Sequence, residues 1–230
     1  MTTPLDPGRL DDGLTRDIVR IADEGTVVEE LLELDGRDVL ELGCGRGATA
    51  RAIAAHGRNR RVVALDVDEA QLAVLRAAPP TPGLRFGRGA AEAIPMPDRS
   101  VDAVLLLRSL HHVPVAAMPI AMEEIARVLR PGGHAFVCEP LARDAFDEVL
   151  RVFHDEAAVR RRAFAAIVAA VRAGTLEAVS QTFFRAPRAF ADFDAFEREV
   201  MRATHLPRAP DGALREAVAA AFARNAAANN

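Results

Sequence analysis

Residues 39–48 read Val-Leu-Glu-Leu-Gly-Cys-Gly-Arg-Gly-Ala, and no other stretch limits the possible folds as strongly. A short apolar strand runs into three alternating glycines, Gly43, Gly45 and Gly47, and a helix-forming run follows at once. Glycine admits positive φ and leaves no Cβ between the loop and a ligand. The helix that starts near Gly47 turns its free N–H groups and the positive end of its dipole toward the same place. A polar ligand lying against bare backbone follows from this arrangement. Two ligand classes stay open. The glycines, with Ala48, also fit the looser dinucleotide pattern, and Asp66 stands at a suitable distance to accept from ribose hydroxyls. Glu41 weighs on the other side, because a carboxylate just before the glycines repels a pyrophosphate and suits a ligand with positive charge. The alternative role for Asp66 is a helix N-cap in Asp-Val-Asp-Glu.

A strand–helix rhythm extends from this loop. Strands are expected at 39–42, 62–65, 84–86, 101–107 and 134–138, with helices at 48–56, 69–77 and 115–129 between them. The unbroken Val/Leu run at 101–107 is typical of a strand buried on both faces. Pro79-Pro80 and Pro131-Gly132-Gly133 stop the helices that precede them. Alternation of this kind predicts an α/β fold with a Rossmann-like, doubly wound and mostly parallel sheet. Ligands of such sheets lie beyond the carboxyl ends of the strands. Those ends carry Glu41 to Gly47, Asp66, Ala90 to Glu92, Arg108 to His112 and Glu139.

Flanking regions complete an expected layout of three parts within one domain. Residues 1–36 form an N-terminal helical cap, with one helix from Asp11 or Asp12 through Leu14, Ile18 and Ile21 and a second over Val27 to Leu34. Residues 37–140 are the ligand-binding core. Residues 141–230 are a mostly helical, substrate-covering region, with one further strand at 179–184. Within this last part, 144–173 and 192–204 read as helices, and Arg160-Arg161-Arg162 as a solvated face.

Composition excludes several alternatives. The net charge is −4 over 230 residues, which gives no basic footprint for nucleic acid. All 29 basic residues are arginine, and the chain contains no Tyr. Cys44 and Cys138 have no metal-ligand spacing, so no metal is expected, and a reduced, cytoplasmic setting fits them. No run reaches membrane-spanning length, so no membrane partner is expected.

The segment Glu41-Leu-Gly-Cys-Gly-Arg-Gly47 resembles the signature loop of class I S-adenosylmethionine-dependent methyltransferases. Ala91-Glu-Ala-Ile-Pro-Met-Pro-Asp98 with Ser100-Val-Asp102, Leu110-His-His-Val113 and Glu124-Ile-Ala-Arg-Val-Leu-Arg-Pro-Gly-Gly133 resemble further segments of that family, in order and in register. The likeness covers residues 37–140 and is greatest to the small-molecule branch that includes quinone-biosynthesis methyltransferases. It implies S-adenosyl-L-methionine as cofactor, S-adenosyl-L-homocysteine as product and a small-molecule acceptor methylated on O, N, S or C. It places the cofactor on Glu41, Gly43, Cys44, Gly45, Gly47, Asp66, Val67, Ala91, Glu92 and Arg108. Glu41 faces the cationic amino end, Asp66 the ribose, Val67 and Ala91 with Glu92 the adenine. His111 and His112 are the candidates for a general base, and His154 and His205 are further histidines in the covering region. Arg185 and Arg188, flanking Ala186-Pro187, are candidates to clamp an acceptor carboxylate.

Two departures from the family stand out. Ala90 occupies the place where many relatives reach the adenine amino group with an acid. No seventh strand is evident after the expected sixth, and an exposed sheet edge would suit a homodimer. The rival readings are an NAD(P)-dependent oxidoreductase on the same sheet and a non-enzymatic, cofactor-binding module of methyltransferase type.

Overall fold

The computed structural model describes residues 5–202 and 210–228. Its centre is a parallel sheet of five strands in the order β3-β2-β1-β4-β5, with β1 at Asp38–Leu42, β2 at Arg61–Asp66, β3 at Leu84–Arg88, β4 at Val101–Leu107 and β5 at Leu129–Cys138. The chain steps outward from β1 to β3, then crosses back to β4, so the reversal falls between β1 and β4. In open α/β sheets that is where ligands bind. The expected doubly wound fold is the one observed.

Helices cover both faces. Helix α1 (Glu24–Leu31), α2 (Ala48–His56) and α3 (Glu69–Ala77) pack Val28, Ala50, Ile53, Leu72 and Leu75 on one side, against Val39, Val62, Ala64 and Leu105. Helix α4 (Met118–Val128) and α6 (Ala157–Arg172) pack Met118, Met122, Ile125, Ala163 and Ala170 on the other, against Leu40, Leu42, Val104 and Leu106. Neighbouring residues of β1 and β4 therefore serve opposite cores, which explains the unbroken apolar run of β4. A third cluster lies apart. Phe146 and Leu150 of α5 (Ala145–Leu150), Phe193 and Phe196 of α7 (Phe193–Phe196) and Phe222 of α8 (Gly212–Ala228) gather there with Phe190.

The flanks depart from expectation. Between residues 10 and 23 there is no helix, although Leu14, Ile18 and Ile21 are spaced for one. Gly13 takes φ +71°, and a Cβ there would stand 2.4 Å from the Phe183 ring, so the chain turns rather than coils. Ile21 is 69% exposed, as apolar spacing without a surface to cover would leave it. Residues 179–184 form no sheet strand either. The N-terminal segment uses the backbone on either side of them: Leu5 N–H donates to Ala178 O, Arg185 N–H to Arg20 O at 2.8 Å and Ala22 N–H to Arg185 O at 3.1 Å. Gln181 joins the same seam, its side chain donating to Asp11 O and accepting from Asp11 N–H. Among the described residues β5 is thus an edge of the sheet. The expected helix 144–173 is two, α5 and α6, and α7 passes into a π-helical turn at Glu197–Met201. His205 and the end of the expected 192–204 helix lie outside the described residues.

Candidate active site

The cradle forms as the glycines require. Gly43, Gly45 and Gly47 have φ of +74°, +51° and +69°, a region that other L-residues enter only with strain. Two of them also serve close packing. A Cβ on Gly43 would meet Ser109 Cβ at 2.6 Å, and one on Gly47 would meet the Phe86 ring at 2.8 Å. Gly45 differs, because nothing lies within 4 Å of where its Cβ would point. Open space there is what a ligand laid on the backbone needs. Cys44 contributes through its main chain: its N–H donates to Leu65 O at 3.0 Å, while its side chain lies in the core. Burial, then the charges of Glu41 and Asp66, pushes its thiol up to about 12, so it is unreactive near neutrality.

Two carboxylates stand under this loop. Asp66 closes β2, and its Oδ2 accepts from Gly45 N–H at 2.7 Å while Oδ1 accepts from Asp68 N–H at 2.9 Å. Asp66 is not the helix cap. Asp68 fills that role, accepting from Ala70 and Gln71 N–H. Glu41 is 3% exposed, and its Oε2 is buried without a hydrogen-bond partner. Burial, reinforced by the charge of Asp66, raises its carboxyl to about 8, opposed by the backbone N–H of Ala50. An unmet acceptor at such a place costs free energy until a donor or cation arrives.

Loops after the other strands complete the rim. Val67 is 63% exposed, a large apolar side chain held out beside Asp66. Ala91 and Glu92 follow β3 and line the same cavity. Arg108, after β4, holds φ +54°, with its N–H on Cys138 O at 2.8 Å and its side chain 3.1 Å from Glu24 Oε1. Positive φ on a non-glycine residue at a strand end is strain of the kind that collects at sites. Ser109 Oγ donates to Leu42 O at 2.8 Å, tying this loop to the glycine loop.

The two histidines separate. His111 is 5% exposed, and its Nδ1 lies 2.5 Å from Glu139 Oε2, while Glu139 Oε1 accepts from Leu110 N–H at 2.9 Å. Its Nε2 faces Glu156 Oε2 at 3.9 Å. His112 is exposed to the cavity, its ring 4.1 Å from that of His111. His154 pairs with Glu156 Oε1 at 3.2 Å. Glu156 also takes Arg160 Nη2 at 2.6 Å, and Arg160 Nη1 reaches Asp147 Oδ1 at 2.5 Å. Arg160 is therefore buried in an ion network, whereas only Arg161 and Arg162 of the triplet are exposed as expected. Sequence reading missed both this network and the Glu139–His111 pair. Their members lie on different elements, and the only sequence signal was a carboxylate at the carboxyl end of β5. His111, His112 and Glu156 bring one ligand-type atom each to within 4.8 Å of one another. Glu139→Ala is expected to destabilise the fold by about 2–3 kcal/mol in denaturant titration, because Leu110 N–H and the buried His111 both lose their partner.

One cavity of about 3050 Å³ joins these parts. It runs from the glycine loop past His112 to α6 and the 175–188 segment. That is more than one drug-sized ligand fills.

Residues 40–137 match the family model of a methyltransferase domain. The chain is 36% identical over 115 residues to the fatty-acid O-methyltransferase of Mycolicibacterium smegmatis, covering 50% of this chain and 40% of that protein. It is 37% identical over 103 residues to phthiotriol/phenolphthiotriol dimycocerosates methyltransferase 1 of Mycobacterium ulcerans, covering 45% and 37%. An uncharacterised methyltransferase of Mycobacterium tuberculosis is 45% identical over 108 residues, covering 46% and 41%. The chain thus spans about two fifths of the length of these curated relatives. Sheet order, glycine loop and matched segment agree: residues 40–137 are similar to a methyltransferase domain. Among the described residues no helix is long and apolar enough to cross a membrane.

Proposed function

We propose that this protein moves a methyl group from S-adenosyl-L-methionine to a nucleophile of a small molecule and releases S-adenosyl-L-homocysteine. The observation that carries the proposal is the orphaned, buried Oε2 of Glu41 beneath a loop whose Gly45 faces open space. Those residues fit the cofactor. Glu41 takes its ammonium end, the backbone from Gly43 to Gly47 lies along its methionine part, and the Asp66 oxygens have lone pairs left for ribose hydroxyls. Val67 and Ala91 with Glu92 border the adenine, and Arg108 flanks the methionine end. The same acids disfavour the oxidoreductase reading, since a pyrophosphate would meet Glu41, and the chain has neither Tyr nor Lys for a proton relay.

When bound, the cofactor supplies a methyl group already activated by its sulfonium. What remains for the chain is to align the nucleophile and exclude water. A base is required where the acceptor carries its nucleophile protonated, and His112 faces the cavity for that task. His111, fixed by Glu139, positions the turn that bears it. Relatives named for a fatty acid and for phthiotriol support an acceptor with an apolar body. Phe164, Ile167 and Val171 on α6 offer it a wall. The test is transfer of labelled methyl from the donor into a metabolite library. A methylated product supports the proposal, and no labelled product from any acceptor would favour a non-catalytic, cofactor-binding module.

Asp66→Ala is expected to weaken S-adenosylhomocysteine binding about tenfold or more by calorimetry, on the order of two hydrogen bonds to a charged acceptor. Unchanged affinity in a folded variant would limit Asp66 to holding Gly45 and Asp68.

A further inference from the structure

The cavity contains a cation for which the residues assigned above have no use. Arg188 lies between α6 and α7 and lines the cavity. Its guanidinium lies over the rings of Phe146 and Phe190, 5.0 and 5.5 Å from their centroids. Two cavity arginines have carboxylates: Arg108 has Glu24, and Arg160 has Asp147 and Glu156. Among the described residues Arg188 has neither an ion pair nor a hydrogen bond. Burial is the first influence holding its guanidinium below the ordinary value, and the charges of Arg108 and Arg46 act the same way against Glu199 and Glu24. Arg188 remains open to solvent on the cavity side, and a cation held over two aromatic faces and facing further cations is an open position for an anion. The ligand's charge is bounded as well, because Glu199 and Glu24 oppose a dianion such as a phosphate. A planar monoanion matches the guanidinium fork.

We propose that Arg188, with Arg108 and Arg46 close by, forms a carboxylate-binding site in the cavity wall. The carboxylate has two possible sources: an acceptor with an apolar body and an acidic head, or the aminoacyl end of the methyl donor. The second source rests on the function proposed above, and the first does not need it.

Calorimetry on the wild type, Arg188→Gln and Arg188→Lys separates the sources. The probes are S-adenosylhomocysteine against 5′-methylthioadenosine, which lacks the aminoacyl group, and decanoate against decanol. If the donor supplies the carboxylate, Arg188→Gln loses tenfold or more for S-adenosylhomocysteine and nothing for 5′-methylthioadenosine. If the acceptor supplies it, both nucleosides bind as in the wild type and decanoate loses tenfold or more while decanol does not. In either case Arg188→Lys, which keeps the charge, retains more affinity than Arg188→Gln. Equal affinities of wild type and Arg188→Gln for both carboxylates overturn the site. So does unchanged S-adenosylhomocysteine affinity where decanoate binds neither protein. A wild type that binds neither nucleoside contradicts the cofactor assignment instead, and the decanoate arm then decides on Arg188 alone.

Discussion

Glu41→Gln is expected to make the ligand-free protein more stable at pH 8 and, at the same time, to weaken S-adenosylhomocysteine binding tenfold to a hundredfold. Both effects arise from one buried carboxyl. Its ordinary value of 4.5 is raised to about 8 by burial and then by Asp66, so across that interval the native state holds a proton that the unfolded chain has released. Stability contributed by this group is therefore full below pH 4.5, declines as pH rises through the window and levels off above about 8. By pH 8 the loss is on the order of 2–4 kcal/mol. An amide cannot ionise, so Glu41→Gln removes that decline. Thermal melts of both proteins from pH 5 to 8 read the difference. The binding loss has the opposite sign, because the ionised carboxylate is the form that pairs with the ligand's ammonium, a charge-assisted contact worth about 1.5–3 kcal/mol. A site residue that harms the empty fold and helps the occupied one is the signature of selection for a ligand.

His112→Ala is expected to lower kcat by about a hundredfold or more and to leave S-adenosylhomocysteine affinity unchanged, as removal of a general base does. His111→Ala should behave differently. His111 is buried against Glu139, so its loss leaves Glu139 and the 110–112 turn without their partner. It is expected to appear first as a fall in stability of about 2–3 kcal/mol by denaturant titration. The pair is measured by turnover and by melting together. Equal stability losses with equal kcat losses in both variants would assign both histidines to packing.

How much of this was legible in the sequence differs between the core and its flanks. From residue 38 to 138 the elements are local. A strand run, a glycine loop and a capped helix each state their own identity, and α2, α3 and β4 fall on the expected residues. Outside that range the pattern misleads. Leu14, Ile18 and Ile21 keep helical spacing, yet Gly13 turns the chain there and the segment pairs with 178–185 instead. Val, Thr and Phe at 179–184 suit a strand, but which backbone they meet depends on packing across more than a hundred and fifty residues. Charge shows the same limit. The three arginines 160–162 look alike in sequence, and only folding against Asp147 and Glu156 separates Arg160 from its neighbours. The glycine loop was readable because one contiguous segment builds it. The contacts around His111 were not, because Glu139 and Glu156 reach it from two distant segments.

The cradle from Glu41 to Gly47 is proposed to receive a sulfonium cofactor rather than a dinucleotide. Parallel titrations of S-adenosylhomocysteine and NADH at pH 7, each in two buffers of different ionisation enthalpy, test this assignment most directly. S-adenosylhomocysteine is expected to bind and to release close to one proton from Glu41, Glu41→Gln to abolish the release, and NADH not to bind. Binding of NADH without binding of S-adenosylhomocysteine would contradict it.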